Sequence, residues 1–177
     1  MVVFAASDLG AKGARHRLML WRDGRASVLR ELINASPRPA LARDGDGIVL
    51  AFRDLPRPKA RSELYLARLD PARGALIDAH AIGRANSQGG PSLALCQGTR
   101  AAVIPIDHAG ELYIAFNPLG AKLETPEANH QYYENEKEFV ASAAACVAGY
   151  PLAVISERSE PSRPGARLLA AEFRCMQ

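Results

Sequence analysis

At 177 residues the chain is long enough to bury the core of one all-β domain. Its charge is mild, 22 Lys and Arg against 19 Asp and Glu for a net of +3, and the arginines are scattered rather than striped. No basic surface interleaved with aromatics recurs, which argues against nucleic acid as a partner, and no apolar run is long enough to span a bilayer.

The first element is an apolar run at 2–8. It has no basic region before it and is too short for a signal peptide, so it reads as a strand and leaves the compartment open. Call this type of strand B. A strand of alternating character (C) follows at 17–21, then the turn Asp23-Gly24, then a more polar strand (D) at 27–32. A short strand A at 39–42 reaches Gly45 and opens a second copy, with B at 48–54, C at 63–68, a turn at 70–74 and D at 75–82. The third copy has A at 91–95, B at 101–107, C at 111–116, a turn at 117–120 and D at 121–125. The last has A at 142–147, B at 152–158 and C at 167–173. Residues 134–145 contain good helix formers, but from 142 they align with the other A strands, which favours a strand.

The B strands start 46, 53 and 51 residues apart, and the second, third and fourth copies follow the first at a period near fifty. The echo is sharpest in strand C, where Glu63-Leu64-Tyr65-Leu66-Ala67 returns 48 positions later as Glu111-Leu112-Tyr113-Ile114-Ala115. A repeat of that length built from short strands predicts an all-β fold, a β-propeller or partial propeller of about 3.5–4 blades of four-stranded antiparallel sheet. The whole chain, 1–177, is expected to form one repeat domain with copies at about 1–35, 36–86, 87–136 and 137–177. The first copy lacks strand A and the last lacks strand D. Such an array exposes apolar blade faces, so self-association or further blades from a longer parent chain are the expected partners.

The repeat resembles the blades of bacterial β-propeller proteins, loosely the sialidase-like superfamily. The likeness rests on Pro91-Ser92-Leu93-Ala94, on the apolar runs ending in Asp54 and Asp107, on Glu63–Asp70, and on Leu119-Gly120-Ala121-Lys122-Leu123. It implies fold alone. The Asp-box of that superfamily, Ser-x-Asp-x-Gly-x-x-Trp, is matched only by degenerate versions at Asp23-Gly24-Arg25 and Asp70-Pro71. No set of three arginines with a separate acid/base carboxylate maps onto the roles a sialidase needs.

Two groups of residues are candidates for ligand binding. Asp8, Asp54 and Asp107 close three B strands in the same alignment, which would set a ring of carboxylates on one rim, able to hold a cation or a sugar. The favoured reading is structural: an Asp repeated in every blade accepts backbone N–H bonds in the B–C turn, and Asp54→Ala then costs about 1 kcal/mol. The second group lies at 127–137, the least repetitive segment and a long D–A connection. There His130, Tyr132 and Tyr133 can stack on a sugar ring while Glu134 and Glu136 bond its hydroxyls, set against a polar loop that merely covers a blade edge.

Other signals are weak. The loops 56–61 and 159–164 are Pro-stiffened and basic and read as solvated surface; Asp44-Gly45-Asp46-Gly47 lacks the remaining calcium ligands and reads as a hairpin turn. His16, His80, His108 and His130 fall in unrelated registers, and no zinc, phosphate-loop or nucleophile-elbow motif occurs, so neither a metal nor a cofactor is expected. Of Cys96, Cys146 and Cys175, buried free thiols are favoured over a Cys96–Cys146 or Cys146–Cys175 bridge. Trp21 is expected to pack within a blade. The chain therefore reads as a non-catalytic propeller module, a scaffold for protein or carbohydrate recognition, with a sialidase-like glycoside hydrolase or a remnant of one as the alternative.

Overall fold

A computed structural model of the chain describes residues 1–10, 13–33, 37–84, 90–96, 99–108, 111–119, 131–135, 138–148, 150–158 and 167–172. Every regular element among them is a strand, and all pairings are antiparallel. The chain divides into two units, Met1–Arg84 and Ala85–Gln177.

The first unit holds two sheets. One is β1 (Val2–Gly10), β2 (Gly13–Arg22) and β3 (Arg25–Leu32), in that order. The other is β4 (Ala40–Asp44), β5 (Gly47–Asp54), β6 (Glu63–Asp70) and β7 (Ala75–Arg84), also in chain order. These are the expected B-C-D and A-B-C-D blades. Their turns follow from local chemistry. Asp23 and Gly24 have φ of 51° and 78°, the left-handed pair of a tight hairpin whose twist suits the flanking strands. In the β6–β7 turn the Asp70 carboxylate accepts the N–H groups of Ala72 and Arg73 at 2.9 and 3.0 Å, and Gly74 closes it at φ 64° with its N–H on the Asp70 carbonyl.

Leu18 and Leu32 of the first sheet and Leu50, Phe52 and Ala67 of the second form one buried cluster. Side chains alternate along a strand, so Leu18 and Leu20 take the buried face of β2 and Trp21 goes to the other. Trp21 is 47% exposed beside its register partner Val2, 54% exposed, which corrects the expectation that it packs within a blade. Strand β5 is different: Val49, Leu50, Ala51 and Phe52 are all fully buried, so both of its faces are covered and its sequence is a continuous apolar run. Each of these larger side chains contributes about 1.5–3 kcal/mol by leaving water.

The second unit holds β8 (Ser92–Cys96), β9 (Thr99–His108), β10 (Glu111–Leu119) and β11 (Gln131–Asn135) in one sheet, and β12 (Glu138–Val147), β13 (Tyr150–Arg158) and β14 (Arg167–Glu172) in another. Three expectations change here. The outer strand of the third blade is β11, paired with β10; the expected strand at 121–125 lies outside the described residues. Residues 134–135 lie in β11 and 138–145 in β12 rather than in a helix; β12 starts before 142, with a bulge between Phe139 and Ala141. Cys96 and Cys146 are bridged. They stand near the ends of the two A strands, where the Cα atoms come to 5.3 Å, within the span that a disulfide requires. Cys175 lies outside the described residues.

Candidate functional site

The rim formed where B strands turn into C strands was one of two candidates from sequence, and strand register decides what it contains. Glu63, first residue of the echo in β6, faces Asp54 across the ladder. Its copy Glu111 faces His108, while Asp107 faces Leu112. Asp107 is therefore one register position away from the counterpart of Asp54. Asp8 departs further. It lies inside β1 opposite Arg15, with an exposed side chain that ion-pairs with Arg17, itself bonded to Glu31 at 3.0 Å. Those two carboxylates hold the Arg17 pKa above its ordinary value, the bond from Glu31 being the larger cause. Asp8 and Asp54 do not share one environment.

Asp54 itself is 2% exposed. Its Oδ1 accepts the N–H of Leu55 at 2.8 Å, in the B–C turn, and the N–H of Ile33 at 2.9 Å, just after β3. Its Oδ2 is 3.7 Å from Arg30 Nε. One carboxylate thus joins the turn of the second blade to the outer strand of the first.

Around it lies a cluster absent from the sequence expectations. The Arg30 guanidinium sits 4.8 Å from the centre of the Tyr65 ring and 5.4 Å from that of Phe52, and the two rings stack at 5.5 Å with 15° between their planes. Phe52 and Tyr65 are register partners, which places them side by side. The Tyr65 hydroxyl donates to Glu63 Oε2 at 3.2 Å. Residues two apart on a strand share a face, so the Glu-x-Tyr spacing of the echo was a readable sign of this bond; nothing in the sequence marked Arg30. Burial raises the Tyr65 pKa, the charge of Glu63 and its bond to the hydroxyl add to that, and Arg30 opposes it. Nearby in β5, Arg53 is buried with its backbone N–H on the Pro37 carbonyl at 2.8 Å; burial, and then Arg38, lower its pKa.

Of the second candidate group, Tyr132, Tyr133 and Glu134 lie in β11, opposite Ala115, Ile114 and Tyr113. They belong to a sheet edge and not to a D–A loop, because the pairing of β10 continues into this segment. His130 and Glu136 lie outside the described residues. Among the described residues no three His, Cys, Asp or Glu side chains converge to hold a metal ion, and no helix is long and apolar enough to cross a membrane.

No family model matches the chain, and no curated protein matches it by sequence. Solved structures do match by fold. An exo-1,5-alpha-L-arabinanase from a bovine ruminal metagenomic library superposes with a TM-score of 0.53 at 11% identity, covering 97% of this chain and 69% of its own. An alpha-L-arabinofuranosidase from Lactobacillus brevis gives the same TM-score and identity, covering 97% of this chain and 68% of its own. Both are β-propeller enzymes. The resemblance to propeller repeats thus holds for the fold and does not single out the sialidase-like branch. This chain is an all-β protein with the β-propeller fold, a partial propeller of three- and four-stranded antiparallel blades.

Proposed function

We propose that the chain is a carbohydrate-recognition propeller module that binds saccharide without cleaving it. The observation that carries the non-catalytic part is the state of Asp54. This rim carboxylate is buried and holds two backbone amides and Arg30. A glycoside hydrolase needs two carboxyl groups presented across the scissile bond, commonly about 5–9.5 Å apart. Fold likeness to two propellers that act on arabinose-containing saccharides supports carbohydrate as the ligand class. The same likeness supports a second reading, a glycoside hydrolase or a remnant of one.

Calorimetric titration with linear arabino-oligosaccharides, paired with a reducing-end assay, separates these readings. Binding with no new reducing ends is the expected result. Release of reducing ends above the buffer blank would establish the hydrolase, and absence of any heat of binding would remove carbohydrate as the ligand.

A partner is part of the proposal. The outer face of the first sheet presents Val2, Trp21 and Val28 to water, and an apolar sheet face of this kind is stabilised by another blade, from a second copy or a longer chain. Sedimentation at low micromolar concentration should show concentration-dependent association that Trp21→Lys reduces; a monomer at all concentrations removes the second copy from the proposal.

A further inference from the structure

The opposite end of the first unit carries a feature that the saccharide reading does not use. Where β2 turns into β3, and β6 into β7, the two turns enclose a cleft of about 540 Å³. Its lining includes three arginines, Arg22, Arg25 and Arg73, together with Ser27 and Gly74. The volume falls within the usual range for small-ligand sites.

Local sequence puts these groups there. Leu20, Arg22, Arg25 and Ser27 occupy one face of the hairpin, since Leu20↔Ser27 and Arg22↔Arg25 are register partners and alternate residues share a face. Deeper along that face Leu18 is part of the core; the last two positions before the turn are the arginine pair. From the other turn Gly74 lies beside Ser27, in the left-handed conformation at φ 64° that a glycine adopts without strain. Asp70 fixes the backbone of Arg73 by accepting its N–H, which leaves the guanidinium, 83% exposed, projecting from an ordered turn.

The charges do not balance. Arg22 pairs with Asp23 at 3.2 Å and Arg73 with Asp70 at 3.6 Å. Among the described residues no carboxylate pairs with Arg25, which faces Arg22 directly across the hairpin. Like charges opposite one another on a sheet repel. An anion between them relieves that repulsion, and guanidinium groups recognise oxyanions through paired N–H donors. We propose that this cleft binds a tetrahedral oxyanion, the sulfate or phosphate ester of a small ligand, with Arg22, Arg25 and Arg73 as its donors. The site is independent of the saccharide proposal, being at the far end of the strands from Asp54.

The test is calorimetric titration of the full chain with inorganic sulfate and inorganic phosphate, with sodium chloride at matched ionic strength as reference. Because the arginines are largely exposed and screened, the expected dissociation constant is on the order of 1 mM. Arg25→Ala and Arg73→Ala should each weaken binding roughly tenfold, the loss of one charge-assisted bond. Arg17→Ala, which removes a partly buried, ion-paired arginine outside the cleft, should leave it unchanged. Heats equal to those with chloride, or affinity retained in Arg25→Ala, would overturn the proposal. Titrations with glucose 6-sulfate and glucose 6-phosphate then identify the ester, the one that binds more tightly than its inorganic ion being the better fit to the volume. Circular dichroism of each variant guards against misfolding, and a charge-reversed Arg73→Glu that is folded and still binds would equally overturn it.

Discussion

The two ends of the first unit use the same residue types to opposite effect. At the B–C end, Asp54 is buried and surrounded by donors: two backbone amides and the guanidinium of Arg30, which itself lies over the stacked Phe52 and Tyr65 rings. At the C–D end three arginines stand in water around a cleft with two carboxylates between them. The difference lies in solvent. A buried charge persists only where its partners replace water, so the B–C cluster is structural and intolerant of change. An exposed charge is screened and loses little without a partner, which leaves the C–D arginines able to meet a ligand.

Four measurements test this contrast. The largest effect is expected from Asp54→Ala, which strands two amides and a neighbouring guanidinium; urea unfolding should show a loss of about 3 kcal/mol. That exceeds the value of about 1 kcal/mol that one turn bond predicts, and a loss of only 1 kcal/mol would mean that water replaces the carboxylate. Asp54→Asn, keeping an acceptor, should lose roughly half as much.

Gly74→Ala should cost about 1–2 kcal/mol, since φ of 64° disfavours a side chain.

Tyr65→Phe should cost about 1 kcal/mol at neutral pH, the value of one side-chain bond. The raised pKa gives it a pH signature. A folded-state pKa above the unfolded value near 10.0 means that the native state favours the protonated phenol. Its contribution is complete below pH 10 and is lost as pH rises through the higher folded value. The wild type should therefore lose stability above pH 10 more steeply than Tyr65→Phe, and parallel curves would show that Tyr65 is not the group responsible. The smallest effect belongs to Arg25→Ala. With its like-charged neighbour gone, stability should stay within about 0.5 kcal/mol of wild type and tend upward at low salt.

Much of the blade pattern was readable from the chain itself. The apolar B runs, the Glu-Leu-Tyr echo and the Gly-bearing turns are local signals of strand and hairpin, and the strands B-C-D, A-B-C-D, A-B-C-D and A-B-C form where those signals stand, apart from one outer strand. That strand was misplaced because a polar edge strand such as β11 carries little apolar period, so its residues resembled a loop. The candidate rim was less legible. Asp8 and Asp54 align in sequence, yet Asp8 lies inside β1 opposite Arg15 while Asp54 closes β5 opposite Glu63, and a sequence alignment does not weigh that strand register.

The amino-acid sequence by itself determined that this protein is built of antiparallel strands in a repeat near fifty residues, because side-chain alternation and turn chemistry act over a few neighbouring positions. Only the tertiary structure decided which carboxylate is buried, which arginines share a cleft and which cysteines meet. Those outcomes depend on distances between residues that are dozens of positions apart. Asp54 with Ile33, Ser27 with Gly74 and Cys96 with Cys146 become neighbours when blades pack, and no local preference encodes that proximity.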